Sequence, residues 1–166
     1  MSPEGRLIRC AWSTRRRQGG RGSVFAETAL ILLPLLALVF AFIDHGLVIF
    51  MQSTFQHAVR EGVRYAVTYQ TIGGLGHDAS IKQVVSRNAM GFLRGRENAI
   101  KIRYFDPETF QEVPDNLPGN IIEVSIEGYQ HSWIAPLWRT AGVIQLSARA
   151  ADRMEGLPNG SVPPPR

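Results

Sequence analysis

Gly22-Ser23-Val24-Phe25-Ala26-Glu27 is the stretch of this 166-residue chain whose residue types and spacing point most directly to chemistry. A glycine leaves the backbone open to close approach by a peptidase. A single carboxylate follows at the entrance of a long apolar run. If the chain is cut after Gly22, the mature chain starts at Ser23 and Glu27 becomes its fifth residue, about one helical turn from the new α-amine. The positive end of the helix dipole favours a carboxylate there. Pairing with the Ser23 amine, of the same or a neighbouring chain, lowers its cost in an apolar surrounding. The bland alternative is an interfacial glutamate with no partner. In either case the chemistry is done to this chain, on one peptide bond.

Nothing comparable equips the chain to act on other molecules. His45, His57, His77 and His131 form no i, i+4 pair and no short cysteine/histidine spacing, so no metal site is expected. Gly73-Gly74-Leu75-Gly76 lacks the Lys-Ser/Thr of a phosphate loop and follows a helical pattern, which makes it a linker. Serine nucleophile elbows are missing. No catalytic residue, cofactor or small-molecule substrate is expected, and the chain does not read as an enzyme. Cys10 is the sole cysteine and lies early, so no intramolecular disulfide can form.

The formal charge of +4 resembles a nucleic-acid signature until the charges are located. Residues 1–22 hold Arg6, Arg9, Arg15, Arg16, Arg17 and Arg21 against Glu4, a local charge of +5, which leaves −1 for residues 23–166. A phosphate-binding surface needs basic charge on the folded domain, so nucleic acid is not expected as a partner. Arg87, Arg94, Arg96, Lys101 and Arg103 remain there, but Glu97, Asp106, Glu108 and Glu112 are interspersed, as on a solvated face.

The elements that must position the Gly22–Glu27 stretch can be read from periodicity. The apolar run is free of charge from Thr28 to Ile43 and resumes at Leu47. From Ala29 to Phe50 a helix is on the order of 33 Å long, enough to cross a bilayer core of about 30 Å. Pro34 should kink it, and Asp44-His45 are costly unless they lie at the interface or between subunits. Ala29, Pro34, Ala37 and Ala41 either permit close helix contact or simply face lipid. The arginines ahead of the span place the N-terminus in the cytoplasm and export the rest.

Beyond the span, Phe55, Ala58, Val59, Gly62, Val63, Ala66 and Val67 share one helical face, with Gln56, Arg60, Glu61 and Arg64 largely on the other. Asp78 is expected to cap a second helix that buries Ile81, Val84, Val85, Ala89, Phe92 and Leu93. The period then falls to two, which predicts strands around Ile100–Tyr104, Ile122–Glu127 and Ile144–Ala150, with a short further strand at Phe110–Val113. The fold class is α+β and pilin-like: a long transmembrane and amphipathic helix, a second helix, and an antiparallel sheet of three to four strands. The expected divisions are a leader at 1–22, a membrane helix at 23–50, an extracytoplasmic domain at 51–154, and a Pro-rich, disordered tail at 155–166. Trp133–Trp138 is bulky for a connection and is either half-buried core or a patch for docking or for grazing the membrane.

Leader, glycine, glutamate and apolar helix, in this order, have the layout of a type IV prepilin-like processing site. Together with Ala29, Pro34 and Ala58-Val59-Arg60-Glu61-Gly62-Val63-Arg64-Tyr65-Ala66, they make the chain resemble the TadE family of minor, pilin-like proteins of tight-adherence (Flp-type) pilus systems. The late Ala148-Arg149-Ala150 is similar in a looser way. The resemblance implies cleavage between Gly22 and Ser23 by a prepilin peptidase, a membrane aspartic peptidase, at the cytoplasmic face of the bacterial inner membrane. It also implies an assembly role for Glu27, and membrane lipid, other pilin-like subunits and the pilus assembly platform as partners. The product would be a single-pass protein with a periplasmic domain, at the base of a pilus or incorporated into it. Thr28 departs from the aromatic residue that often follows the glutamate in major subunits, and 144 residues after Gly22 exceed their usual length; both imply a minor component.

Two rivals remain: a secreted protein whose signal peptide is cut at Val39-Phe40-Ala41, and a membrane-tethered extracytoplasmic enzyme. Sequencing the N-terminus of protein isolated from cells separates the first from the prepilin reading. Ser23 is the expected first residue, and Phe42 would establish secretion instead.

Overall fold

The computed structural model describes residues 20–134, 142–157 and 161–166. Their elements run in the order α1 (Gly20–Val67), α2 (His77–Asn88), a 3₁₀ turn (Glu97–Ala99), β1 (Ile100–Phe105), β2 (Glu112–Val113), β3 (Ile121–His131) and β4 (Ile144–Arg153). The strands form one antiparallel sheet in the order β2-β1-β3-β4. This is the α+β architecture that periodicity predicts. The chain divides into two compact units, residues 1–38 and residues 39–166, and α1 contributes to both.

The second unit is built on one stripe of α1. Phe55, Ala58, Val59, Gly62, Val63, Ala66 and Val67 are all buried, while Arg60 and Arg64 are exposed. Removing such apolar side chains from water stabilises by about 1.5–3 kcal/mol for each large one. Against this stripe lie Ile81 and Val85 of α2 and the inward residues of the sheet, including Ile100, Tyr104, Ile122, Val124 and Ile126. Phe55 meets the Tyr129 ring edge-on, with centroids 4.9 Å apart.

At Gly62, α1 lies directly against α2. A Cβ at this position would fall inside the van der Waals envelope of Val85 Cγ2, with Val124 and Ile81 methyls just behind it. Val85 cannot swing away, because a β-branched side chain in a helix has essentially one rotamer and this one is fully buried.

α2 differs from its sequence expectation at both ends. Its N-cap is Gly76, and no side chain caps it. Asp78 sits in the first turn instead, where it accepts a hydrogen bond from the Tyr104 hydroxyl at 2.8 Å. The helix stops at Asn88, and the chain turns through Met90 and Gly91 at φ 52° and 85°. Ala89 and Leu93 are fully buried as expected, but from turns rather than from a helical face.

In the sheet, β1 matches expectation, and β2 is shorter than expected. Phe110, placed by pattern at the start of a strand, has φ 54° and lies in the turn that the Asp106 carboxylate closes through Glu108 N and Thr109 N. β3 runs to His131, beyond the alternation visible in the sequence. A bulge between Ile126 and Tyr129, with Gly128 at φ 71°, shifts the register. Inward positions are therefore even up to Ile126 and odd at Tyr129, which hides the second half of the strand from a period-two search. On the outer face, Arg103 pairs with Glu123 at 3.3 Å and with Glu127 at 3.0 Å, and Arg149 reaches Glu123 at 3.5 Å. The hydrogen bond from Arg103 holds the Glu127 carboxyl below its ordinary value.

The helix contact at Gly62 gives a direct test. Gly62→Leu is expected to lower stability by about 2–3 kcal/mol through overpacking, despite the better helix propensity of leucine. Denaturant unfolding of the detergent-solubilised chain measures it, and an unchanged midpoint would show that the helices can move apart freely.

Candidate processing and assembly segment

The segment opens α1. The helix begins at Gly20, so the backbone of Gly22 and Ser23 is already helical, and α1 starts three residues before the membrane helix expected from position 23. The first amides of a helix have no intrahelical acceptor, and glycine is a poor helix former. Glu27 is exposed and stands four residues, about one helical turn, after Ser23. The Thr28 hydroxyl donates to Val24 O at 2.8 Å, which satisfies it without water.

From Ala29 to Ile43 α1 is apolar on every side. Phe25 and Leu30 are 79% and 77% exposed, and the leucines up to Leu38 are also exposed. Ala29 and Pro34 are exposed, while Ala37 and Ala41 are half-buried; the helix continues through Pro34. A surface of this kind suits lipid or other apolar helices better than water. By length and composition the helix can cross a membrane, which fits a single-pass membrane protein.

The apolar character ends at Asp44, where the structure supplies what sequence reasoning missed. Asp44 is fully buried, and its Oδ1 accepts a hydrogen bond from Ile134 N at 3.1 Å. Next to it, the His45 ring lies 5.5 Å from Trp133, and His45 Nδ1 is 2.8 Å from Ala41 O. The Trp133 indole N–H donates to Gly142 O at 3.2 Å. The costly Asp44-His45 pair is thus met, within this chain, by the segment that follows β3. Trp133 is half-buried and Ile134 exposed, whereas residues 135–141, with Trp138, lie outside the described residues. No sequence signal links Asp44 to a backbone amide ninety positions away.

Elsewhere among the described residues, no group of three or more His, Cys, Asp or Glu side chains could hold a metal. A hollow of about 720 Å³ is an open groove beside α2 lined in part by Lys82, Arg87, Arg94 and Glu97. Its lining contains no histidine and one carboxylate, that of Glu97.

No curated protein and no solved structure matches the chain. The family model described as TadE-like protein matches residues 22–64, from the glycine of the processing segment to the exposed arginine of the amphipathic turns. Over this segment, the chain is similar to the TadE-like family.

Proposed function

We propose that this chain is a minor pilin-like subunit of a tight-adherence (Flp-type) pilus assembly or secretion system. A prepilin peptidase cuts it after Gly22, and it acts through helix packing and protein contacts. The observation that carries the reading is the TadE-like match over residues 22–64, which associates the chain with the Tad pilus. That match takes in the Gly22–Glu27 stretch, the exposed apolar turns of α1 and the buried stripe that begins the second unit.

In this reading the arginines of residues 1–22 stay in the cytoplasm, residues 23–50 anchor the chain in the inner membrane, and the domain from 51 to 154 is periplasmic. Cleavage creates the Ser23 amine, which pairs with Glu27 of the same or a neighbouring chain and makes the carboxylate tolerable in lipid. Ala29, Pro34, Ala37 and Ala41 supply a low-profile strip for contact with other pilin-like helices and the assembly platform. Association of such helices in lipid depends on shape and on a few polar pairs, since lipid is as apolar as the helices themselves.

Two substitutions test this in cells that carry the pilus system. Gly22→Ala places a side chain at the scissile bond, and the mature band is expected to disappear from a gel; a normal band would remove the processing step. Glu27→Ala is expected to leave the mature band intact yet weaken partner capture by about five- to thirtyfold, the equivalent of one to two kcal/mol. Co-purification of partner subunits and pilus output measure this. Unchanged values for both would deny Glu27 an assembly role.

A further inference from the structure

The segment Pro164-Pro165-Arg166 occupies a site that is built for it from separate parts of the fold. His77 N donates to Pro165 O at 2.8 Å, and Asn116 Nδ2 donates to Pro164 O at 3.0 Å. The Arg166 guanidinium lies over the Tyr104 ring, 4.7 Å from its centroid, and pairs with Asp78 at 3.0 Å. It also donates to Pro114 O. Two backbone carbonyls and one guanidinium of three consecutive residues are thus each matched by a partner of the right sense.

The floor of the site is polar and prepared. His77 is fully buried, with Nε2 3.2 Å from Ala66 O and its ring stacked on Tyr69. Burial lowers the His77 imidazole pKa, so the ring is held neutral. Burial also raises the Tyr104 hydroxyl pKa, and this hydroxyl donates to Asp78 and leaves the carboxylate oriented toward the arginine. Gly76 completes the fit: a Cβ there would lie 2.6 Å from Arg166 O and 2.8 Å from Arg166 C. The backbone of Gly76, at φ −66° and ψ 167°, is open to any residue, so only the seated segment requires glycine.

We propose that the surface formed by Gly76, His77, Asp78, Tyr104 and Asn116 is a recognition site for a Pro-Pro-Arg segment. Residues 164–166 fill it in cis, and the same segment of a second copy of this chain fills it in trans. Proline fixes much of the backbone before binding, which lowers the entropy lost on docking. Three positions separate Ser161 from Leu157, which packs against the core. A tether this short gives an effective concentration of about millimolar, so the cis segment dominates in isolated protein. Crowded neighbouring copies shift the balance toward exchange.

The test uses the detergent-solubilised chain and a fluorescent, amidated peptide, Ser-Val-Pro-Pro-Pro-Arg. Binding is followed by anisotropy on the chain lacking residues 161–166. Saturable binding is expected there, with at least about tenfold weaker binding to the intact chain and a loss of similar size on Asp78→Asn or on replacing the peptide arginine by alanine. Absence of saturable binding to a deleted chain with native circular dichroism would overturn the proposal. Equal affinity for intact and deleted chains would do the same. Should the deletion not fold, Gly76→Ala in the intact chain is expected to speed amide exchange at His77 by about tenfold or more while exchange at Val85 stays slow. Unchanged exchange at His77 would then overturn it.

Discussion

The contact between the inner stripe of α1 and the sheet, with α2 drawn in at Gly62, is the constraint on which the second unit rests. A helix of this length has ample propensity to form, but only one face of it is covered, and buried residues of α2, the turns after it and the sheet cover that face. The residues that do so are mostly aliphatic and β-branched, as a tightly filled interior demands. Glycine at 62 sets how near α2 can approach, and the sheet residue behind it, Val124, leaves no space to spare. Ahead of this stripe the same helix changes character, because its apolar residues are exposed on all sides. One element therefore carries two different solvent preferences.

Asp44 marks the change. In a helix that is otherwise apolar at this point, a buried carboxylate without hydrogen bonds would be strongly unfavourable. The amide of Ile134 provides one. This places the segment after β3 against α1 at the end of the uncharged run. The TadE-like match spans both characters of the helix, from Gly22 to Arg64.

Much of the fold was legible because burial leaves a period in the sequence. The stripe from Phe55 to Val67 follows the helical repeat without a break, and Ile100, Tyr104, Ile122 and Val124 follow the strand repeat. Legibility failed where a single residue changed the phase or where a partner was remote. The bulge at Gly128 turned Tyr129 inward against the preceding alternation. Asp78 has the composition of a cap, yet its carboxylate was taken by Tyr104 and Arg166, which a local reading cannot see. Likewise, the proline-rich end gives no hint of its seat, because the atoms that bind are backbone carbonyls common to every sequence. The candidate processing segment is the opposite case: glycine, glutamate and apolar run are contiguous, so their order alone made them visible.

The bond between Asp44 and Ile134 has a mechanical consequence. A chain held by its apolar turns and loaded at its folded end would carry tension along α1 toward the rest of the fold. Side-chain contacts such as Phe55 on Tyr129 already link α1 to β3 further along the helix, and the bond at Asp44 adds a second link nearer the apolar turns. With it, part of the tug is handed straight to the strand at the centre of the sheet. Load shared between two attachment points strains each less, and the polar atom that looks most out of place in the helix becomes a brace.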